Sequence, residues 1–127
     1  MVESFQDRLQ AVDPAYETFS QLQTLQINLG NLCNLRCNHC HVDASSRGTE
    51  IMGTAVMDQI AGFLLRHPTV TLDITGGCPE INPDFRYLIE RTEGLVPRRM
   101  LRSNLAIMSD VGWEWLPEFC RRHELTI

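Results

Sequence analysis

The sequence predicts an α/β fold on parallel strands. Short β-rich runs recur at residues 22–30, 70–75, 98–104 and 125–127, and each of the first three is followed by a helical apolar pattern. A loop of unusual composition also follows each of those three runs. Alternating strands and helices imply right-handed crossovers and a parallel sheet. In such folds ligands gather at the carboxyl ends of the strands.

The first element stands outside this rhythm. "SFQDRLQAV" places Phe5, Leu9 and Val12 on one helical stripe, with Pro14 as a stop, so residues 1–21 read as an N-terminal helical arm and 22–127 as the domain. "LQTLQINLG" alternates Leu25, Ile27 and Leu29 with polar residues and ends at Gly30, a strand pattern. "GTAVMDQIAGFLLRH" carries Val56, Met57, Ile60, Phe63 and Leu64 at helical spacing, closed by Pro68. "VTLDIT" is the second strand, in which Asp73 faces the sheet top or alternates outward, and the glycines of "GGCPE" follow it. "NPDFRYLIERTEG" predicts a helix with Asn82 as N-cap, Pro83 at its first position and Gly94 past its end. "RRMLRSN" is the third strand. "SDVGWEWLPEFCRRHE" is a helix opened by Ser109 or Asp110, with Trp113 and Trp115 on opposite sides and Cys120 in the core beside Leu116 and Phe119. "LTI" begins a fourth strand at the point where the sequence stops, as expected of the N-terminal portion of a longer enzyme or of a truncated product.

Size and charge narrow the function. At 127 residues the chain suffices for one domain with a core. A net charge of −5 argues against a nucleic-acid or anionic-membrane partner, because phosphate binding needs a cationic face. There is no signal-peptide pattern and no apolar run of membrane-spanning length, so the expected setting is cytoplasmic, with reduced thiols and a small-molecule partner.

The stretch "NLGNLCNLRCNHCHVDA" holds Cys33, Cys37 and Cys40 in a C-x3-C-x2-C spacing. Three thiolates in one tight loop suit a cubic iron–sulfur cluster that keeps one iron open. The alternatives are a structural zinc site completed by His39 or His41 and a redox pair formed by Cys37 and Cys40. His41 and Asp43 either shape the loop or line a substrate pocket. After the second strand, Gly76 and Gly77 leave backbone open to close approach. Beyond them Cys78 sits at an expected helix N-terminus, where a lowered thiol pKa would make a soft ligand and a catalytic candidate. Ser103 and Asn104, at the end of the third strand, are hydrogen-bonding candidates for a ligand or caps of the next turn.

"CNLRCNHC" after the first strand, with "TGGCPE" after the second, resembles the radical S-adenosylmethionine (SAM) superfamily over residues 22–127. "INLGNLCNLRCNHCHVDA", "RGTEIM" and "LDITGGCPEINPDFRYL" are similar to its arsenosugar-biosynthesis family. The resemblance implies the N-terminal part of a (β/α) partial barrel of the radical SAM type, with about four βα units and the fourth strand cut short. It implies a [4Fe-4S] cluster on Cys33, Cys37 and Cys40, and SAM as a second cofactor, cleaved reductively to a 5′-deoxyadenosyl radical. His39, Thr75, Gly76, Gly77, Ser103 and Asn104 are then cofactor-binding candidates. Glu80 would stand in for a glutamate whose usual place is taken here by Cys78. The implied partners are trivalent methylated arsenic and an electron donor such as flavodoxin or ferredoxin.

Overall fold

The computed structural model describes residues 4–17 and 21–127. Among them β1 (Thr24–Asn28), β2 (Thr71–Thr75), β3 (Arg98–Leu101) and β4 (Leu125–Thr126) form one sheet in the order β1-β2-β3-β4, every pairing parallel. The connections hold α2 (Thr54–Arg66), α3 (Phe85–Arg91) and α4 (Leu116–Arg122). Where crossovers are right-handed, a strand order that follows chain order puts every connecting helix on the same face.

The core agrees with that winding. Ile27, Ile74 and Leu101 lie in register across β1, β2 and β3, and with Leu72 they join one buried cluster containing Met57 and Leu64 of α2, Leu88 and Ile89 of α3, and Leu116 of α4. Arg99 is buried on the helix side, where its guanidinium donates to the Ile89 carbonyl at 2.6 Å and to that of His123. Both carbonyls belong to helix C-terminal ends, where a cation complements the helix dipole.

The opposite face is polar. Gln26, Asp73 and Met100 are register partners there. Asp73 is 3% exposed, because Arg102 covers it with a two-pronged ion pair, Nε to Oδ1 and Nη2 to Oδ2 each at 2.9 Å, and Gln26 donates at 2.9 Å. The residue is therefore a buried ion-pair partner rather than an outward one. Hydrogen bonding from Arg102 holds the Asp73 carboxyl below its ordinary range.

Two predicted helix starts are corrected. α3 starts at Phe85 with Asp84 as N-cap. Asn82 still makes the capping contacts, its Oδ1 accepting the Asp84 N–H at 2.8 Å and its carbonyl the Phe85 N–H at 2.9 Å, and its Nδ2 donates besides to the carbonyls of Leu29 (3.0 Å) and Met52 (2.9 Å). α4 starts at Leu116 rather than at 109 or 110, because residues 106–109 make a separate 3-10 turn and Gly112 adopts φ +92°. Trp113 and Trp115 thus precede the helix, with ring centroids 5.6 Å apart, instead of occupying opposite sides of it. The arm helix α1 (Phe5–Val12) is present with a Ser4–Asp7 capping box, but Phe5 and Val12 are exposed and none of its residues is buried. Residues 1–3 and 18–20 of the predicted arm lie outside the described residues. Among the described residues no helix is long and apolar enough to cross a membrane.

A carboxyl whose folded pKa lies below its unfolded value of 3.8 adds stability that is complete above 3.8 and is lost as pH falls through the folded value. Urea-unfolding midpoints measured from about pH 7 down to about pH 2.5 should therefore fall less steeply on the acid side in Asp73→Asn than in the parent. Identical slopes would show that the ion pair adds no pH-dependent stability.

Candidate metal centre at the strand ends

The chain between β1 and α2 folds back on itself before it reaches the helix. Met52 N–H bonds to the Leu29 carbonyl at 3.1 Å and Asn31 N–H to that of Glu50 at 3.1 Å. Ser45 N–H bonds to the Asn31 carbonyl and Cys33 N–H to that of Ser45, at 3.1 and 3.0 Å. Residues 45–52 so run beside 29–33 and close a neck, leaving the cysteine segment as a short excursion beyond it. Within the excursion Cys40 N–H meets the Cys37 carbonyl at 3.2 Å and Asp43 N–H meets that of Cys40 at 3.3 Å, giving two successive turns. The C-x2-C spacing is one of these turns, which keeps the two Cα atoms within about 7 Å. Asp43 sits at φ +46°, a left-handed conformation that aspartate tolerates, so its part is to shape the loop.

The neck rests on the glycine turn after β2. Leu29 N–H bonds to the Thr75 carbonyl at 2.9 Å, Gly77 N–H to that of Gly30 at 2.8 Å, and Cys78 N–H to that of Leu32 at 2.9 Å. A Cβ on Gly77 would stand 2.4 Å from the Leu32 oxygen and 2.9 Å from the Ala44 Cβ. The sequence reading reserved that space for a cofactor. In the structure the cysteine loop fills it at Gly77.

The three thiols differ in exposure: Cys33 is buried, Cys40 half-buried and Cys37 exposed, and none is in a disulfide. Cys33 Sγ accepts the Leu35 N–H at 3.4 Å, and Cys40 Sγ accepts the Ala44 N–H at 3.4 Å. Backbone N–H groups aimed at sulfur are compatible with a thiolate-bound iron–sulfur cluster, since they spread the sulfur's charge. The donor set therefore fits such a cluster. Among the described residues no three His, Cys, Asp or Glu side chains are grouped to hold a single metal ion. A cube takes each thiolate on a different iron and does not need that convergence. His39 and His41 are both exposed. Beside the neck opens a cavity of about 520 Å³ lined by Asn28, Gly30, Asn31, Val42, Glu50 and Met52, a size suited to a small molecule. Asn28 Oδ1 accepts the Gly30 N–H at 2.8 Å and Asn31 Oδ1 the Glu50 N–H at 3.0 Å, so both asparagines also hold the neck, for which the "NLGNL" pattern around Gly30 is the sequence signal.

The expected lowering of the Cys78 pKa is corrected. Cys78 is buried, and its Sγ donates to Glu80 Oε2 at 3.1 Å. Burial, and then the negative charge of Glu80, push the thiol far above its ordinary range, so it stays protonated at neutral pH. The expected lowering by a helix N-terminus fails because only a three-residue 3-10 turn, Pro79–Ile81, follows it. Glu80 is 2% exposed with its Oε1 lacking any donor, and its charge also helps burial raise the Cys120 thiol to about 11. Cys120 belongs to the core, and Glu80 also lines a small cavity of about 170 Å³ with Asn82, Trp113 and Trp115. Ser103 and Asn104 cap their own turn: Ser103 Oγ accepts the Leu105 N–H at 3.0 Å and Asn104 Oδ1 the Ala106 N–H at 2.9 Å. Thr75, half-buried at the end of β2, engages the loop through its carbonyl.

No protein-family model matches the chain, and no curated protein matches it.

Gly77→Ala should force the cysteine loop away from the β2 turn, at a cost of about 1–3 kcal/mol, and should speed alkylation of buried Cys33. Gly53→Ala, where a Cβ meets nothing within 4 Å, is the matched control. Thermal unfolding and the rate of thiol labelling measure both effects. Equal behaviour of the two variants would mean that the neck does not rest on the turn.

Proposed function

We propose that the chain carries a [4Fe-4S] cluster on Cys33, Cys37 and Cys40 and works with SAM as a radical SAM enzyme. The observation that carries this reading is the loop itself: three free cysteines, two of whose sulfurs receive backbone N–H groups, on a neck fastened between β1 and the glycine turn of β2. The loop stands at the carboxyl edge of a parallel sheet, where α/β folds place their chemistry. A sheet in chain order with its helices on one face supports the partial-barrel reading, since a doubly wound sheet reverses strand order at its ligand site.

When bound, the cluster and SAM supply an electron and a carbon–sulfur bond whose cleavage yields a 5′-deoxyadenosyl radical. The chain's own part is to hold and orient. The Leu35 and Ala44 N–H groups disperse charge on Cys33 and Cys40, and the closed neck restricts where the three thiolates stand. The neighbouring cavity offers Asn28 and Asn31 to a polar small molecule. Trivalent methylated arsenic is the substrate suggested by the motif likeness, with an electron donor of the flavodoxin or ferredoxin kind in a cytoplasmic setting. Arsenic capture is not assigned to Cys78, whose thiol is buried and protonated.

Anaerobic reconstitution with iron and sulfide tests the ligand set. Cys33→Ala, Cys37→Ala and Cys40→Ala should each abolish the brown charge-transfer absorption, while Cys78→Ala and Cys120→Ala should keep it. Added SAM should change the electron paramagnetic resonance signal of the reduced parent protein. Full absorption in any of the first three variants, or its loss in Cys78→Ala, would refute the assignment.

A further inference from the structure

We propose that Asn104 is a positioning residue for the cysteine loop, one that donates an N–H to the Cys33 sulfur and thereby raises the reduction potential of a cluster held there. The inference rests on the cluster reading above and adds to it a residue from the third strand end. Asn104 Nδ2 lies 3.7 Å from Cys33 Sγ and 2.9 Å from Asn34 Oδ1. Asn34 in turn donates to Asp110 Oδ2 at 3.3 Å. One carboxamide thus joins the loop after β1 to the turn after β3, across residues some seventy positions apart in the chain.

The orientation of that carboxamide is determined by its partners. Its oxygen accepts the Ala106 N–H at 2.9 Å, so the NH₂ group must face the cysteine loop. An amide NH₂ has two hydrogens, which matches one acceptor at Asn34 and one at Cys33. The turn that presents it is strained: Leu105 sits at φ +62°, ψ −18°, where a leucine costs on the order of 1–3 kcal/mol. The Leu105 side chain is 51% exposed and offsets little of that cost by burial. Strain of this kind persists where the surroundings impose it, and here what it maintains is the reach of Asn104 toward Cys33.

The consequence is electrostatic. An N–H directed at a ligating sulfur withdraws charge from it, favouring the more negative, reduced cluster. Cys33 would have two such donors, the Leu35 N–H and the Asn104 amide.

Two variants separate donation from turn-building. Asn104→Asp keeps an oxygen to cap Ala106 but replaces the donor with a carboxylate beside the sulfur, whereas Asn104→Ala loses both functions. The readouts are the midpoint potential of the reconstituted chain, titrated with mediators and followed by electron paramagnetic resonance, and amide hydrogen exchange of Leu35 and Ala106 in the metal-free chain. Both variants should shift to lower potential, Asn104→Asp the further, by roughly tenfold in the reduction equilibrium, about 59 mV for one electron. Ala106 should stay protected in Asn104→Asp and exchange faster in Asn104→Ala. A parental potential in Asn104→Asp would overturn the proposal and leave Asn104 as a turn cap. A parent chain that takes up no cluster would instead refute the reading beneath it, and this inference with it.

Discussion

Two backbone hydrogen bonds, from Gly77 N–H to the Gly30 carbonyl and from Cys78 N–H to the Leu32 carbonyl, carry the pairing of β1 and β2 beyond the ends of both strands. The carboxyl edge of the sheet is arranged around them. They fix the outgoing limb of the cysteine loop, the returning limb pairs to it, and the span left free shrinks from residues 29–53 to residues 33–45. Halving a loop lowers its closure cost by about 0.6 kcal/mol, and each such bond adds roughly 0.5–1.5 kcal/mol net. These magnitudes are small, but the bonds decide where three thiols stand. They also impose the glycine, because any Cβ at Gly77 would collide with the loop that those same bonds bring in.

The sheet separates two chemistries. On one face Ile27, Leu72, Ile74 and Leu101 are sealed under α2, α3 and α4, and Arg99 reaches through that layer to the terminal carbonyls of two helices. On the other, Gln26, Asp73 and Arg102 form a polar network. Helices confined to one face leave the strand ends and the polar face open, so every residue proposed to hold a cofactor stands at one edge. Cys78 and Glu80 are both buried, and Cys78 joins the core cluster while its N–H pairs with the Leu32 carbonyl of the neck.

Periodicity made the elements legible. α2 and the alternation of β1 follow from apolar spacing, because burial on one face is what that spacing records, whereas β2 is a short β-rich run buried on both faces. The cysteine loop was legible from spacing as well, since C-x2-C is the span of a single turn. The capping bond of Asn82 was legible, but the second use of its side chain, donating to the carbonyls of distant Leu29 and Met52, is invisible in local sequence. The start of α4 was misplaced because an apolar pattern ran through Trp113 and Trp115, although Gly112 breaks the helix ahead of both. Cys78 and Glu80 were assigned by their neighbours in the chain, whereas their pKa behaviour and exposure depend on depth below the strand ends. The reach of Asn104 to Cys33 depends on the packing of the turn after β3 against the cysteine loop, which no local pattern records.

The account stands on what the three cysteines hold. Metal and acid-labile sulfide analysis of the anaerobically purified chain measures that directly. Iron and sulfide present in equal amounts is the predicted result; zinc without sulfide would contradict it.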